Sequence, residues 1–334
     1  MIWNEGFTAS YYMTIVDPKS WRDIDRLEIT GGSIDRNSSG LYASADVTMT
    51  ELPEGGETWI RLWMDAEQDG VEHVPLFTGL TSAPERSLDG MRETYKVECF
   101  SALKPMDDVL TERGTYIPTE VAAPKAAERL LKAGPAPVVI SAEGELPRLK
   151  EAIVAEDGET NLTLALKTLD AVNWRLQIDG RGIITLEPNE SRLVQVFGAD
   201  NDVIEPKITD EYDWYACPNV LRAISDDLTA IARDDDPGSA LSTVSRGREI
   251  WAEETSVNLS SNESIAAYAY RRLKELQSPA RTISYNRRFD PDVMPGDVVM
   301  INHPEVSIKG SFKVVSQRLE LGHGCRTSEK ATLI

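Results

Sequence analysis

Runs of β-forming residues, each cut off by a turn signal, occupy both ends of this 334-residue chain, and helical spacing is confined between them. At the N-terminal end, Ser10–Val16 stops at Asp17-Pro18. Leu41–Thr50 alternates small or polar with apolar residues and stops before Pro53-Glu54-Gly55-Gly56, and Trp59–Met64 follows. In that third strand Ile60, Leu62 and Met64 share one face and Trp59, Arg61 and Trp63 the other, so both faces need partial cover. Leu76–Ser82 and Glu93–Phe100 flank a turn at Leu88-Asp89-Gly90, read as a hairpin with a long connection. Several short strands at close spacing with little helix signal predict a small β-barrel or sandwich.

After Lys104-Pro105 the texture changes. Pro124 stands where a first helical residue would, and Lys125–Ala133 runs to Gly134-Pro135 as a helix. A second helix is predicted over Asn161–Val172, with Leu162, Ala165, Leu166, Leu169 and Val172 on one face. Trp174, Leu176 and Ile178 then alternate with polar residues, and Asp179-Gly180-Arg181-Gly182 turns the chain into Ile183–Leu186. Ser260 and Glu263 have capping-box spacing before a helix whose inner side carries Ile265, Tyr268, Ala269, Arg272, Leu273 and Leu276, ended by Ser278-Pro279. Strands return at Thr282–Phe289, Asp297–Asn302, Gly310–Leu321 and Arg326–Leu333; Pro295-Gly296 suits a type II turn. Thr78–Ser82 and Lys309–Lys313, each followed by a turn and a last strand, form a weak internal echo.

Charge and composition exclude several function classes. With 35 Lys plus Arg against 55 Asp plus Glu, the net charge of −20 lacks the basic footprint of a nucleic-acid binder. The apolar fraction of 41% supplies core material, and the length implies two or three domains. The longest apolar run, Ile265–Tyr270, is far short of the roughly 18 to 20 residues that span a bilayer. The opening Met1-Ile2-Trp3-Asn4-Glu5 does not read as a signal peptide, and Cys99, Cys217 and Cys325 lie far apart, as suits a reducing cytoplasm.

No catalytic, cofactor-binding or metal-ligating residue is singled out. His323-Gly324-Cys325 has no CxxC or HExxH to complete a zinc site, and His303-Pro304-Glu305 lacks the P-C-x-x-C of a deaminase. Asp200, Asp202 and Glu211 fall at calcium-loop positions, but Glu205 and Pro206 stand where the loop turns sharply on glycine. Asp226-Asp227 and Asp234-Asp235-Asp236 read as solvated acidic loop, within a stretch, Asp200–Asp236, that carries a net −8.

The run Tyr285–Val299, with Gly310–Gln317 and Leu321-Gly322-His323-Gly324, resembles the closing barrel of phage tail baseplate hub proteins, of phage tails and tailocins. Pro218–Ala223, Asp236–Ser239 with Ser245–Arg248, and Trp174–Leu186 resemble internal landmarks of the same hubs, in the same order. The resemblance implies an α+β, mainly β chain: an N-terminal tail-tube-like barrel over 1–104, an αβ module over 105–200, and a second barrel over 201–334. That second barrel, built from about 200–233 and 282–333, is interrupted by a helical segment at about 234–280. It also implies a non-enzymatic virion protein, made in the host cytoplasm, whose homotrimer joins a sixfold tail tube to threefold tip components. Its partners would be the tail tube or distal tail protein, a tip or spike protein and the tape measure protein, with DNA only in transit and no membrane insertion. Any wall-degrading activity would come from a partner, and no cofactor is implied. Two other readings stand beside it: a cell-wall hydrolase or its accessory, and an adhesin that presents Trp59, Trp63, Trp214 and Tyr215 to carbohydrate.

Overall fold

The structure, a computed structural model, describes all residues but 54, 55, 143, 199–202, 216, 226, 227, 256, 258, 260–262, 278–280, 305 and 306. The chain is 50% strand and 14% helix, so it is mainly β, as expected.

Six strands form first: β1 (Thr8–Asp17), β2 (Arg22–Asn37), β3 (Ala43–Met49), β4 (Trp59–Glu67), β5 (Val71–Asp89) and β6 (Arg92–Ser101). They pair antiparallel in the order β1-β4-β5-β6-β3-β2, and β2 pairs back on β1, so the circuit of pairings closes. Alternation sends one side of each strand inward, and Met13, Ile34, Val47, Ile60, Leu62, Met64, Val97 and Cys99 fill the interior. β2 has no counterpart in the sequence reading. Arg22, Asp23, Asp25, Arg26 and Glu28 make its first half polar on both sides, and backbone pairing with β1 holds it extended there. The connection expected after Ser82 is itself strand: from Pro84 to Asp89, β5 pairs, among the described residues, with β6 alone, and the run Pro84-Glu85-Arg86-Ser87-Leu88-Asp89 has no apolar alternation to announce it.

The middle of the chain contains α1 (Lys104–Asp108), β7 (Tyr116–Ile117), α2 (Ala123–Leu131), β8 (Val138–Ile140), β9 (Ile153–Val154), α3 (Asn161–Asp170), β10 (Trp174–Ile178) and β11 (Ile184–Pro188). Pro124 opens α2, and Thr160 caps α3 by accepting from the Thr163 N–H at 3.1 Å. Leu131, Leu162, Leu169, Trp174, Leu176 and Ile184 share one core, in which the helices cover the sheet β10-β11-β8.

The remainder holds β12 (Leu193–Gly198), β13 (Ile204–Tyr212), β14 (Val220–Ser225), β15 (Leu228–Arg233), α4 (Thr243–Arg246), β16 (Trp251–Glu254), α5 (Ile265–Gln277), β17 (Arg281–Arg287), β18 (Val298–His303), β19 (Ile308–Glu320) and β20 (Thr327–Leu333). Six of these strands pair in the order β13-β17-β20-β19-β18-β12. Among the described residues β14 and β15 do not join them. Contrary to the expectation for residues up to about 233, they form a separate sheet with β16, on which Tyr268, Ala269 and Leu273 of α5 pack. The start of α5 also differs from the capping-box reading. Ser264 Oγ accepts from the Ala267 N–H at 3.2 Å, and Glu263 pairs with Arg271 at 3.1 Å instead of reaching back. Ser260 and the expected stop at Ser278-Pro279 lie outside the described residues.

The two six-strand sets repeat one another in order. Taken in chain order, β12, β13, β17, β18, β19 and β20 occupy the places of β1 through β6, with the strands of the separate sheet inserted between the second and third. The ladder Gly32–Val47–Val97–Pro84 has its counterpart in Asp210–Ile283–Ala331–Val314. In both sets the fifth strand shifts register near the point where it leaves the fourth, between Thr81 and Pro84 and between Val314 and Ser316. The echo in the sequence falls on these two fifth strands. A β-carbon on Gly79 would lie 2.1 Å from the Phe100 carbonyl oxygen, and one on Gly310 would lie 2.9 Å from Leu333. The sets differ at one seam: β12 runs parallel to β18 where β1 is antiparallel to β4, and among the described residues β12 and β13 do not pair.

Candidate functional site

The surfaces that distinguish this chain are strand edges and the joints between its parts. The principal joint is a strand pairing. Beyond the end of β1, the free edge of β2 passes to β19: Ser33–Asn37 pair antiparallel with Ser316–Glu320. Ile34 and Leu319 face each other there, both fully buried. Arg318 donates to Asp35 Oδ2 at 2.6 Å and to Ser33 Oγ at 2.9 Å. The pairing therefore ties the two six-strand sets into one 12-stranded sheet.

Buried charge lies behind that joint. Arg287 and Glu329 are both shut off from solvent and 2.6 Å apart, and Gln317 donates to the same Glu329 oxygen at 2.6 Å. Burial by itself would lower the Arg287 pKa, but the Glu329 carboxylate outweighs it and holds the guanidinium charged. Arg36 is buried too, with its pKa pulled down to about 10 by loss of water. It donates to the Leu76 carbonyl at 2.6 Å and reaches Met294 Sδ, so a single side chain links β2, β5 and the loop before β18.

The middle region clamps both sets. The Asp179–Gly182 turn lies against β4 and β5: Arg61 donates to Thr78 Oγ1 at 2.9 Å and to the Arg181 carbonyl at 3.2 Å, and Thr78 donates to the Gly180 carbonyl at 2.8 Å. Trp21 adds an indole N–H to the Arg181 carbonyl. Only glycine fits at 180, because a β-carbon there would lie 1.9 Å from the Pro75 carbonyl oxygen. On the other side, Arg175 donates to the Gly296 carbonyl at 2.9 Å. Gly296 has φ +96°, as the type II turn requires.

Among the described residues, two of the unpaired strand edges carry exposed large apolar side chains. From Pro84 to Asp89 β5 has β6 on one side only, and at its tip Leu88 is 62% exposed beside a fully exposed Met91. The edge of β13 away from β17 has no strand partner among the described residues. It ends in an aromatic group: Tyr212, 49% exposed, meets Trp214 edge-on at 5.4 Å, and Tyr215 is 80% exposed. Arg281 lies over the Tyr212 ring and donates twice to Asp210.

The residues weighed in the sequence separate accordingly. Trp59 packs on Trp21 at the αβ core and Trp63 stacks on Tyr12 and donates to Thr14, whereas Trp214 and Tyr215 face solvent. Cys325 is buried in a turn behind Tyr11, and burial raises its thiol pKa to about 11. Asp234, expected in a solvated loop, is buried and accepts from Ser239 at 2.7 Å and Gln277 at 3.0 Å. Glu205 is held by Arg326 and Asn286. Asp200, Asp202, Asp226, Asp227 and Glu305 lie outside the described residues. Among the described residues no group of three or more His, Cys, Asp or Glu is placed to hold a metal ion, and no helix is long and apolar enough to cross a membrane. Sequence reasoning did not find Arg36, Arg175, Arg287 or Glu329. An arginine in a strand gives no sign of which face is buried until the partner strands are known.

No protein-family model matches the sequence, and no curated protein does. Solved structures match nearly end to end. The tail protein from Neisseria meningitidis MC58 superposes with a TM-score of 0.72 over 97% of this chain and 96% of its own, at 15% identity. The 43 kDa tail protein of prophage MuSo2 from Shewanella oneidensis gives 0.67 over 97% and 98%, at 14% identity. An E. coli component of the type VI secretion system, described as structurally similar to the T4 bacteriophage tail proteins gp27 and gp5, gives 0.54 over 92% of this chain and 74% of its own, at 10% identity. The chain has the fold of phage tail proteins. In the first two it extends over essentially the whole of both molecules.

Proposed function

We propose that this protein is a structural, non-enzymatic hub of a phage-type tail, acting at the baseplate or tail tip. The observation that carries the reading is the repeated strand order. One chain holds two β units with the same order, so three chains supply six comparable units around a ring. We take 1–104 and 201–334 as two barrels akin to tail-tube subunits, the second completed by β12, with 105–200 as the αβ module between them. Head-to-tail contacts close into rings when their rotation allows it. Such a ring offers six similar β units to a sixfold tube, while the αβ module and the β14–β16 sheet with α5 occur once per chain and offer threefold features to a tip or spike.

The full-length likeness to phage tail proteins supports this assignment, and the likeness to a type VI secretion component supports the hub position. The net −20 suits a channel through which DNA passes without adhering, because carboxylates repel phosphate. The tail tube or distal tail protein, the tip or spike protein and the tape measure protein are the partners this position requires. The test is to mix the protein with purified tail tubes and image the tube ends. A threefold cap with a central opening supports the proposal; tubes that stay bare, or decoration along their outer wall, contradict it.

A further inference from the structure

The pairing of β2 with β19 joins a second-place strand of one β unit to a fifth-place strand of the other. Each chain also carries the complementary pair unused: the fifth-place strand β5 and the second-place strand β13, both with open edges. We propose that the same junction forms between copies, with the tip of β5 in one copy lying against the end of β13 in the next. This rests on the hub reading and names the surface through which its copies meet.

The register follows from the ladders. Gly32 and Asp210 stand at equivalent levels, so Ile34 corresponds to Tyr212. Val314 and Pro84 pair with the equivalent Ala331 and Val97, and four ladder steps further on Leu319 pairs with Thr327 as Leu88 pairs with Glu93. Since Ile34 faces Leu319 inside the chain, Tyr212 faces Leu88 between chains.

Exposure agrees with this register. Leu319 and Ile34 are fully buried, and their counterparts Leu88 and Tyr212 are among the exposed large apolar residues of the chain. Trp214 and Tyr215 extend the apolar area at one edge and Met91 at the other. An unpaired edge bearing such side chains invites another strand, and a second copy supplies the matching one. The contact is heterologous, so it makes no twofold dimer and closes a ring when its rotation allows.

The test is the double variant Leu88→Cys with Tyr212→Cys, oxidised in the intact protein. Directly opposed strand residues lie about 4.5–5.5 Å apart at Cα, within disulfide reach. The native Cys99, Cys217 and Cys325 are buried. The expected result is a covalent series that stops at three chains, with the 88–212 link found by peptide mass mapping. Mixing the two single-cysteine variants should give only dimers. A threefold cap on tubes without that link overturns this edge assignment and leaves the hub reading standing; no link and no assembly on tubes overturns both. As a second measurement, Leu88→Asp should weaken self-association by at least about tenfold with an unchanged unfolding midpoint, and unaltered association overturns the inference.

Discussion

Leu319 and Leu88 stand at equivalent levels of the two fifth-place strands, the first 0% and the second 62% exposed, so truncating each to alanine separates an internal joint from an external one. Leu319→Ala empties a buried place opposite Ile34, and a change of this kind costs about 2–5 kcal/mol of folding stability. Leu88→Ala in the separated chain should stay within about 0.5 kcal/mol of the parent, as an exposed substitution with no buried partner does. In an assembled ring the order changes. Full burial of a leucine side chain contributes about 1.5–3 kcal/mol, so covering the exposed part of Leu88 is worth about 1–2 kcal/mol per contact. That corresponds to roughly tenfold in each dissociation constant. Urea unfolding read by the fluorescence of the seven tryptophans measures the first effect, and sedimentation across a dilution series measures the second. The denaturation midpoint should fall for Leu319→Ala only, and the association constant for Leu88→Ala. A Leu319→Ala variant as stable as the parent, or a Leu88→Ala variant that unfolds earlier as a monomer, refutes the equivalence.

Three further outcomes follow from the joints. Glu329→Ala leaves the Arg287 charge buried without its partner and should cost about 3–5 kcal/mol, while Arg287→Met with Glu329→Leu should restore most of that loss; additive losses in denaturant titrations contradict this account of the pair. Gly180→Ala drives a β-carbon into the Pro75 carbonyl and should lower stability by about 1–3 kcal/mol, so an unchanged melting temperature argues against the clamp. Bonding to Arg326 holds the Glu205 carboxyl below its ordinary range, so its contribution is present above that range and is lost as pH falls through the lowered value. Burial raises Asp297, whose contribution runs the other way, with stability falling as pH rises through its raised value. Glu205→Gln should therefore flatten the acid limb of stability against pH, and a limb of unchanged slope removes Glu205 from the account.

What could be read from the sequence depended on whether a segment's own pattern matched its surroundings. α2 and α3 were legible because Pro124 marks a start and because Leu162, Ala165 and Leu169 recur on one buried face. The C-terminal strands were legible through their turns, Pro295-Gly296 above all. β2 and the outer half of β5 were not, since their extended shape comes from partners far along the chain and not from apolar alternation. The insertion of β14 and β15 was misplaced for a related reason: two apolar strands do not declare which sheet they enter. The repeat between the two β units was visible only as Gly79 and Gly310 in similar settings, because it is kept in strand order and almost nowhere in residue identity. Trp214 and Tyr215 stand out in the sequence only as aromatics an adhesin could present; that they follow the end of a strand edge, with a counterpart at Leu88, is seen in the ladders. Arg36, Arg287 and Glu329 were beyond reach, since a buried charge is recognised only beside the group that holds it.

The central claim is that one chain with two like-ordered β units supplies two of six positions in a ring. Imaging of the protein bound at the ends of tail tubes, with the copy number fixed by native mass of the released cap, tests it most directly. The account predicts three copies and six β lobes around one opening, with the αβ module repeating three times. Any other copy number, or a ring in which the two β units lie at different radii, contradicts it.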